Sequence, residues 1–420
     1  MSVESIEANR WPAERGACET FARRFGGAWR ERFHTALTTG DPLADSVVAI
    51  GGARGAEVRR QLASGLITGL ASLERPDEAV ANLLRETESV PERVDGALIA
   101  SGPRSWYDVP YRLRLLSMSA GALIGVYASP PIASVLSATR RLNENTERRL
   151  RDTACWLSST MLPGSLAVGE AGYVASVQLR LLHAHARRAV RRRGHDERRF
   201  GTAINQVDLA RTWLAFTLSA MRAEASLGFV PSETEIAENY GYWQQLAHLL
   251  GIDAGLVGSV CSHADAECLE AMVQATSGAP GEESVILTER TLGVVAEALD
   301  GMSAIPRGAS RKVLETLVRR FHGDEQADAL ELGHTPGLGA LMAPVIALAR
   351  GHRAARRRDT VRWSAASAGR YADALATALA DQVRVPQLDP RIVDVARPPA
   401  RLAIPALPEP MAEPSHREAA

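Results

Sequence analysis

Between Tyr173 and Val190 the chain reads YVASVQLRLLHAHARRAV. At 100° per residue Val174, Val177, Leu181 and His185 fall on one face, the spacing of a helix that buries a stripe. Arg180, His183 and Arg187 gather near the border of that stripe, so two histidines of one helix meet two environments. For His185, a core histidine satisfied by a single hydrogen bond explains the position. His183 stands one turn from a guanidinium on each side, three residues after Arg180 and four before Arg187. Such neighbours depress the proton affinity of an imidazole. They would also serve a histidine that binds the iron of haem, because arginine pairs with carboxylates, including haem propionates, through two parallel hydrogen bonds. An arginine-rich solvated face gives the same spacing, and the run Arg187, Arg188, Arg191, Arg192, Arg193 is open to that reading.

The three- and four-residue apolar period extends along most of the chain, while β-branched alternation bounded by turns is scarce. The expected fold is all-α. Helices are predicted over 17–38, 55–72, 76–87, 111–126, 131–138, 145–161, 173–193, 203–226, 233–250, 262–276, 286–299, 308–321, 337–355 and 360–382. Ser232 with Glu235 predicts a capping box, and Asn205 with Asp208 a second N-cap. The uncharged run Leu115–Ile132 carries serines and prolines and predicts a buried core helix, not a membrane span. From Val383 onward eight prolines in 38 residues exclude further helix.

Composition narrows the function. The 420 residues are 46% hydrophobic and 23% charged, with 48 basic against 49 acidic side chains, as in an ordinary globular protein. A net charge of −1 argues against a nucleic-acid partner; residues 180–199 hold eight arginines, but no aromatic residues are interleaved among them to stack bases. Lys312 is the only lysine, so no phosphate loop of the GxxxxGK[ST] type exists. HExxH, GxSxG, CxxC and DDxxD patterns are missing, and the spacing of Cys261, His263 and Cys268 matches no standard zinc site. Four scattered cysteines and an N-terminus without an apolar leader give a cytoplasmic expectation.

Several ordered blocks then carry a resemblance. GDPLADSVVA at 40–49, YASPP at 127–131, TRRL at 139–142, RRLRDT at 148–153, LRLLHAHAR at 179–187, INQVDLARTWLAF at 204–216, the stretch from Trp243 through HLLGI at 248–252, and IPRGASRKVLETLVRRFHGDEQAD at 305–328 together resemble the MpaB and rubber-oxygenase (latex-clearing protein) catalytic family of haem b proteins. The resemblance implies a globin-like helical core with additional N- and C-terminal helices. It implies haem b with dioxygen as co-substrate, His183 as iron ligand flanked by Arg180 and Arg187, and a distal pair, Arg149 and Thr153, on one helical face. Asp152 stands where latex-clearing proteins place a lysine, and His185 where relatives have a small residue.

The domain expectation is an N-terminal extension over 1–39, the haem-binding catalytic domain over 40–355, a helix over 356–382 and a Pro-rich tail over 383–420. The functional expectation is an oxygenase acting on a small apolar, unsaturated (isoprenoid- or polyene-like) metabolite, adding dioxygen to a C=C bond or cleaving it. Trp156, Leu157, Trp213 and Phe216 are candidate pocket walls. The rival readings are a non-catalytic haem or gas-binding protein and a cofactor-free helical interaction module.

Overall fold

The computed structural model describes residues 11–138, 146–302 and 308–358, and these are helical with no strand among them. The longer helices are α1 (Cys18–Phe25), α2 (Gly27–Thr38), α3 (Pro42–Ala49), α4 (Gly52–Thr68), α5 (Glu78–Thr87), α6 (111–127), α7 (Pro130–Ala138) and α8 (Thr146–Thr160). They are followed by α9 (Ala171–Arg192), α10 (206–226), α11 (Glu233–Leu249), α12 (His263–Gln274), α13 (Glu282–Met302), α14 (Ser310–His322) and α15 (Leu338–Arg358). The expected helix over 360–382 and the Pro-rich tail lie outside the described residues.

Helix type is right nearly everywhere that periodicity was strong. The predicted 17–38 helix is two, broken at Gly26 with φ +91°. Residues 42–49 form a helix that the sequence reading passed over; Asp41 accepts from the Ala44 amide and Pro42 opens the first turn. Both predicted caps are present. Ser232 and Glu235 form a reciprocal capping box, and the Asn205 side chain accepts from the Asp208 amide. Their carboxylates also reach further: Asp208 grips buried Arg15 at 2.6 and 2.7 Å, and Glu235 holds buried Arg353 at 2.9 Å. The run 115–132 is buried as predicted, but as α6 and α7 meeting at a bend of 94°. No single helix among the described residues is long and apolar enough to cross a membrane.

At the centre, α9 packs against α3, α8 and α11. Tyr173, Val174, Val177, Leu181 and Ala184 join one core that also takes in Phe21, Phe33 and Leu37 from the N-terminal helices. Within α6 and α10 the segments Ser117–Leu123 and Ala215–Ser219 widen to π-helix and pack on each other. Such widening has no signature in a three-and-four apolar period.

Arg180 and Arg187, expected near a polar border, are 2% and 3% exposed. Arg180 holds Asp41 through Nε at 2.6 Å and Nη2 at 3.0 Å, with Glu86 2.7 Å from Nη1. Arg187 Nε lies 3.0 Å from both Asp45 oxygens, and its Nη1 donates to the Ile204 carbonyl at 2.7 Å. These contacts fasten α3 and α5 to α9. Gly251, at φ +70°, sits against them, and any Cβ there would collide with Arg180 and Asp41. Removing one partner of a buried pair strands the other charge. Arg180→Ala is expected to lower stability by about 3–5 kcal/mol, whereas Arg191→Ala, which breaks an exposed pair with Glu197, costs no more than ~1 kcal/mol. Urea unfolding of the two variants checks the contrast.

Candidate functional site

α8 and α9 run antiparallel, and their register follows from two contacts. The Trp156 indole N–H donates to Ser176 Oγ at 3.2 Å, and a Cβ on Gly172 would lie 3.0 Å from Thr160 Cα. Seven residues before Trp156 is Arg149, and seven after Ser176 is His183. Equal steps at 1.5 Å per residue bring them level, about 10 Å along the pair from the Trp156–Ser176 contact. By the same register Thr153 is level with Leu179. The pair is closed at its loop end, where Trp156, Leu157, Thr160 and residues 172–177 are buried. Towards the other end Arg149, Leu150 and Thr153 on α8, and Leu179, Leu182, His183 and Ala186 on α9, are only half-buried. Leu179, Leu182 and Ala186 share one side of the helix with His183 and form an apolar apron around the imidazole.

The chemistry of His183 is unusual for a packed helix. Nδ1 is buried without a hydrogen-bond partner. Burial, reinforced by the Arg187 charge and opposed by Asp41, lowers its pKa to about 4, so the ring is neutral at pH 7 with a lone pair to offer. An orphaned buried nitrogen in a native fold calls for an explanation, and a bound group is one. No cluster of three or more His, Cys, Asp or Glu side chains able to hold a metal occurs among the described residues. A porphyrin brings four nitrogens of its own, so one imidazole is enough to ligate its iron. The donor chemistry and the apolar apron therefore fit haem.

Arg149 and Thr153 share a face of α8, as expected. The Thr153 hydroxyl donates to the Arg149 carbonyl at 2.9 Å, which leaves its oxygen able to accept but not to donate. Arg149 Nη2 donates to the Tyr127 hydroxyl at 2.8 Å, and its Nε is buried and unpartnered. Arg180 and Arg187, expected beside haem carboxylates, are engaged in this structure by Asp41 and Glu86 and by Asp45. His185 faces α3 and α4 instead, lining a cavity of about 30 Å³ with Val47, Val58, Leu62 and Leu181. A second cavity of about 40 Å³, lined by Arg211, Glu270, Gln274 and His322, also lies away from His183. Each has room for about one water.

Among the candidate walls, Trp156 and Phe216 join Trp243 in a ring cluster with centroids 5.9–6.5 Å apart. Trp213 stands apart against Tyr240, its indole N–H donating to the Trp243 carbonyl at 2.8 Å. Sequence reasoning missed Asp41, Asp45, Glu86 and Tyr127. The only local signal was the Asp-Pro start of 41–49, which marks a helix start but not its partner. Asp152 is paired with Arg148 at 3.7 Å, and Cys261 is exposed.

The described residues thus form an all-α protein in which a half-buried imidazole is set level with an arginine on the facing helix. The family profile described as "ER-bound oxygenase mpaB/B'/Rubber oxygenase, catalytic domain" matches residues 109–380, and the chain belongs to that family. It is similar to the rubber oxygenase of Streptomyces sp. (strain K30), 28% identical over 174 residues. That alignment spans 40% of this chain and 40% of the relative's length. The fold is similar to that of latex clearing protein in its closed state, with a TM-score of 0.57 and 19% identity over 76% of this chain and 84% of that one.

The depressed pKa sets a pH dependence. The folded ring stays neutral down to about pH 4, whereas the unfolded ring protonates near 6.5, so between those values the unfolded state binds more protons. The His183 contribution to stability is complete above pH 6.5 and is lost as pH falls towards 4. The protein without haem should therefore weaken across that window, and His183→Phe should flatten the loss; denaturation midpoints measured at several pH values check this.

Proposed function

We propose that the protein is a haem b-dependent oxygenase acting on a small apolar, unsaturated substrate of isoprenoid or polyene character, adding dioxygen to a C=C bond or cleaving it. The observation that carries this is the neutral, unbonded His183 imidazole level with Arg149. Family membership supports the oxygenase class; the substrate class rests on the apolar lining. Haem, when bound, supplies the iron on which dioxygen is activated. The chain's own residues do the rest.

His183 offers a nitrogen lone pair at neutral pH because burial keeps the proton off. Leu179, Leu182 and Ala186 give an apolar bed that excludes water from the ring it supports. Arg149 provides a fixed cation with a free Nε–H, the kind of donor that stabilises negative charge as it develops. Thr153, with its own proton committed to the backbone, can accept a hydrogen bond and so orient a donor beside Arg149. A hydrophobic substrate would gain from leaving water for this lining, while Arg149 and Thr153 supply the few polar contacts that fix its orientation.

Two substitutions test the assignment. His183→Ala should abolish haem uptake in a pyridine haemochrome assay while the apoprotein stays folded, and undiminished haem would sink the ligand assignment. Arg149→Ala should keep its haem and lose roughly 10²–10³ in turnover of an unsaturated test compound. If the wild-type protein holds haem but leaves polyprenyl and polyene compounds unchanged while consuming no oxygen, it is a gas-binding protein instead.

A further inference from the structure

We propose that Tyr127 is a positioning residue, holding the Arg149 guanidinium in place without neutralising it; this rests on the reading of Arg149 as the cation at the reacting site. Five other interior arginines are held by carboxylates, Arg15 by Asp208, Arg114 by Glu224, Arg180 by Asp41, Arg187 by Asp45 and Arg353 by Glu235, while buried Arg211 is held by the neutral side chains of Gln274 and Ser277. Among the described residues, Arg149 is held by no carboxylate. A carboxylate takes two N–H groups and cancels the charge. A neutral phenol takes one and leaves the charge intact. Here Nη2 donates to Tyr127 Oη at 2.8 Å, and the guanidinium carbon lies 5.0 Å from the ring centroid, within cation–π range. One side chain thus supplies two weak restraints in different directions, enough to fix a planar group.

Tyr127 is itself immobilised. It is 4% exposed, at the end of α6 just before the bend into α7, and its ring cannot swing into solvent. Burial keeps its hydroxyl protonated well above neutral pH, so the neutral acceptor persists over the working range. On the other side stands Thr291, its buried hydroxyl set towards the Tyr127 hydroxyl. Ser284, Thr288 and Thr291 follow one another at four and three residues along the buried face of α13. The polar side chains of α13 on this side are hydroxyls, and Arg149 keeps a buried, unpartnered Nε–H.

The test uses the haem-loaded, ferrous protein with carbon monoxide as the probe and the C–O stretch as the readout, since a nearby positive charge lowers that frequency. Tyr127→Phe keeps the ring and removes only the acceptor, so the unfolding midpoint should move little. Arg149→Gln should raise the frequency. Tyr127→Phe should raise or broaden it by a smaller amount, and the double variant should match Arg149→Gln alone, as coupled residues do. In turnover Tyr127→Phe should lower kcat by roughly 10- to 100-fold with KM little changed. A band that moves in Arg149→Gln but not in Tyr127→Phe overturns the positioning role and leaves the site reading standing. A band that moves in neither overturns both.

Discussion

The buried ion pairs of Arg180 and Arg187 fix the roll of α9, and the geometry of the site follows from that. The two guanidinium groups are seven residues apart, two helical turns, so they leave the helix on nearly the same side. Asp41, Asp45 and Glu86 receive them there. The apron of Leu179, Leu182 and Ala186 then lies about a hundred degrees round the helix, with His183 at its edge, turned towards the end of α8 that carries Arg149. The desolvation cost of such pairs is offset only by close geometry. That makes them poor sources of net stability and strong determinants of orientation.

Against this background the carboxylate-paired arginines and Arg149 differ in what holds them. Those paired with carboxylates are structural fasteners whose charge is cancelled where it sits. Arg149, braced by a phenol, keeps its charge. The same electrostatic logic separates the histidines. His183 has a buried Nδ1 without a partner, whereas His322 Nε2 donates to the Ala120 carbonyl of α6 at 2.9 Å, as a packed histidine does.

The likeness to latex clearing protein is one of fold, and a fold hosts many chemistries. What narrows the chemistry here is the set of side chains at the open end of the α8–α9 pair. The aromatic cluster of Trp156, Phe216 and Trp243 closes the other end, where it packs as core. The half-buried aliphatic residues lie beside His183, and the large rings that the sequence singled out lie in the packed core.

The sequence by itself determined the all-α class, most helix limits, the Ser232 and Asn205 caps and the placing of Arg149 with Thr153 on one face. Each depends on residues within about a turn of one another, where the helical period converts spacing directly into direction. It also singled out His183, because an imidazole between two arginines is a local pattern. Only the tertiary structure decided what those arginines do. Asp41 and Asp45 lie some 140 residues from Arg180 and Arg187 in the chain, and Tyr127 lies 22 from Arg149 across a bend and a helix boundary. A charge in a one-dimensional pattern looks the same whether it meets water, a ligand or a carboxylate. Which it meets depends on how helices dock, and docking is set by the whole core at once.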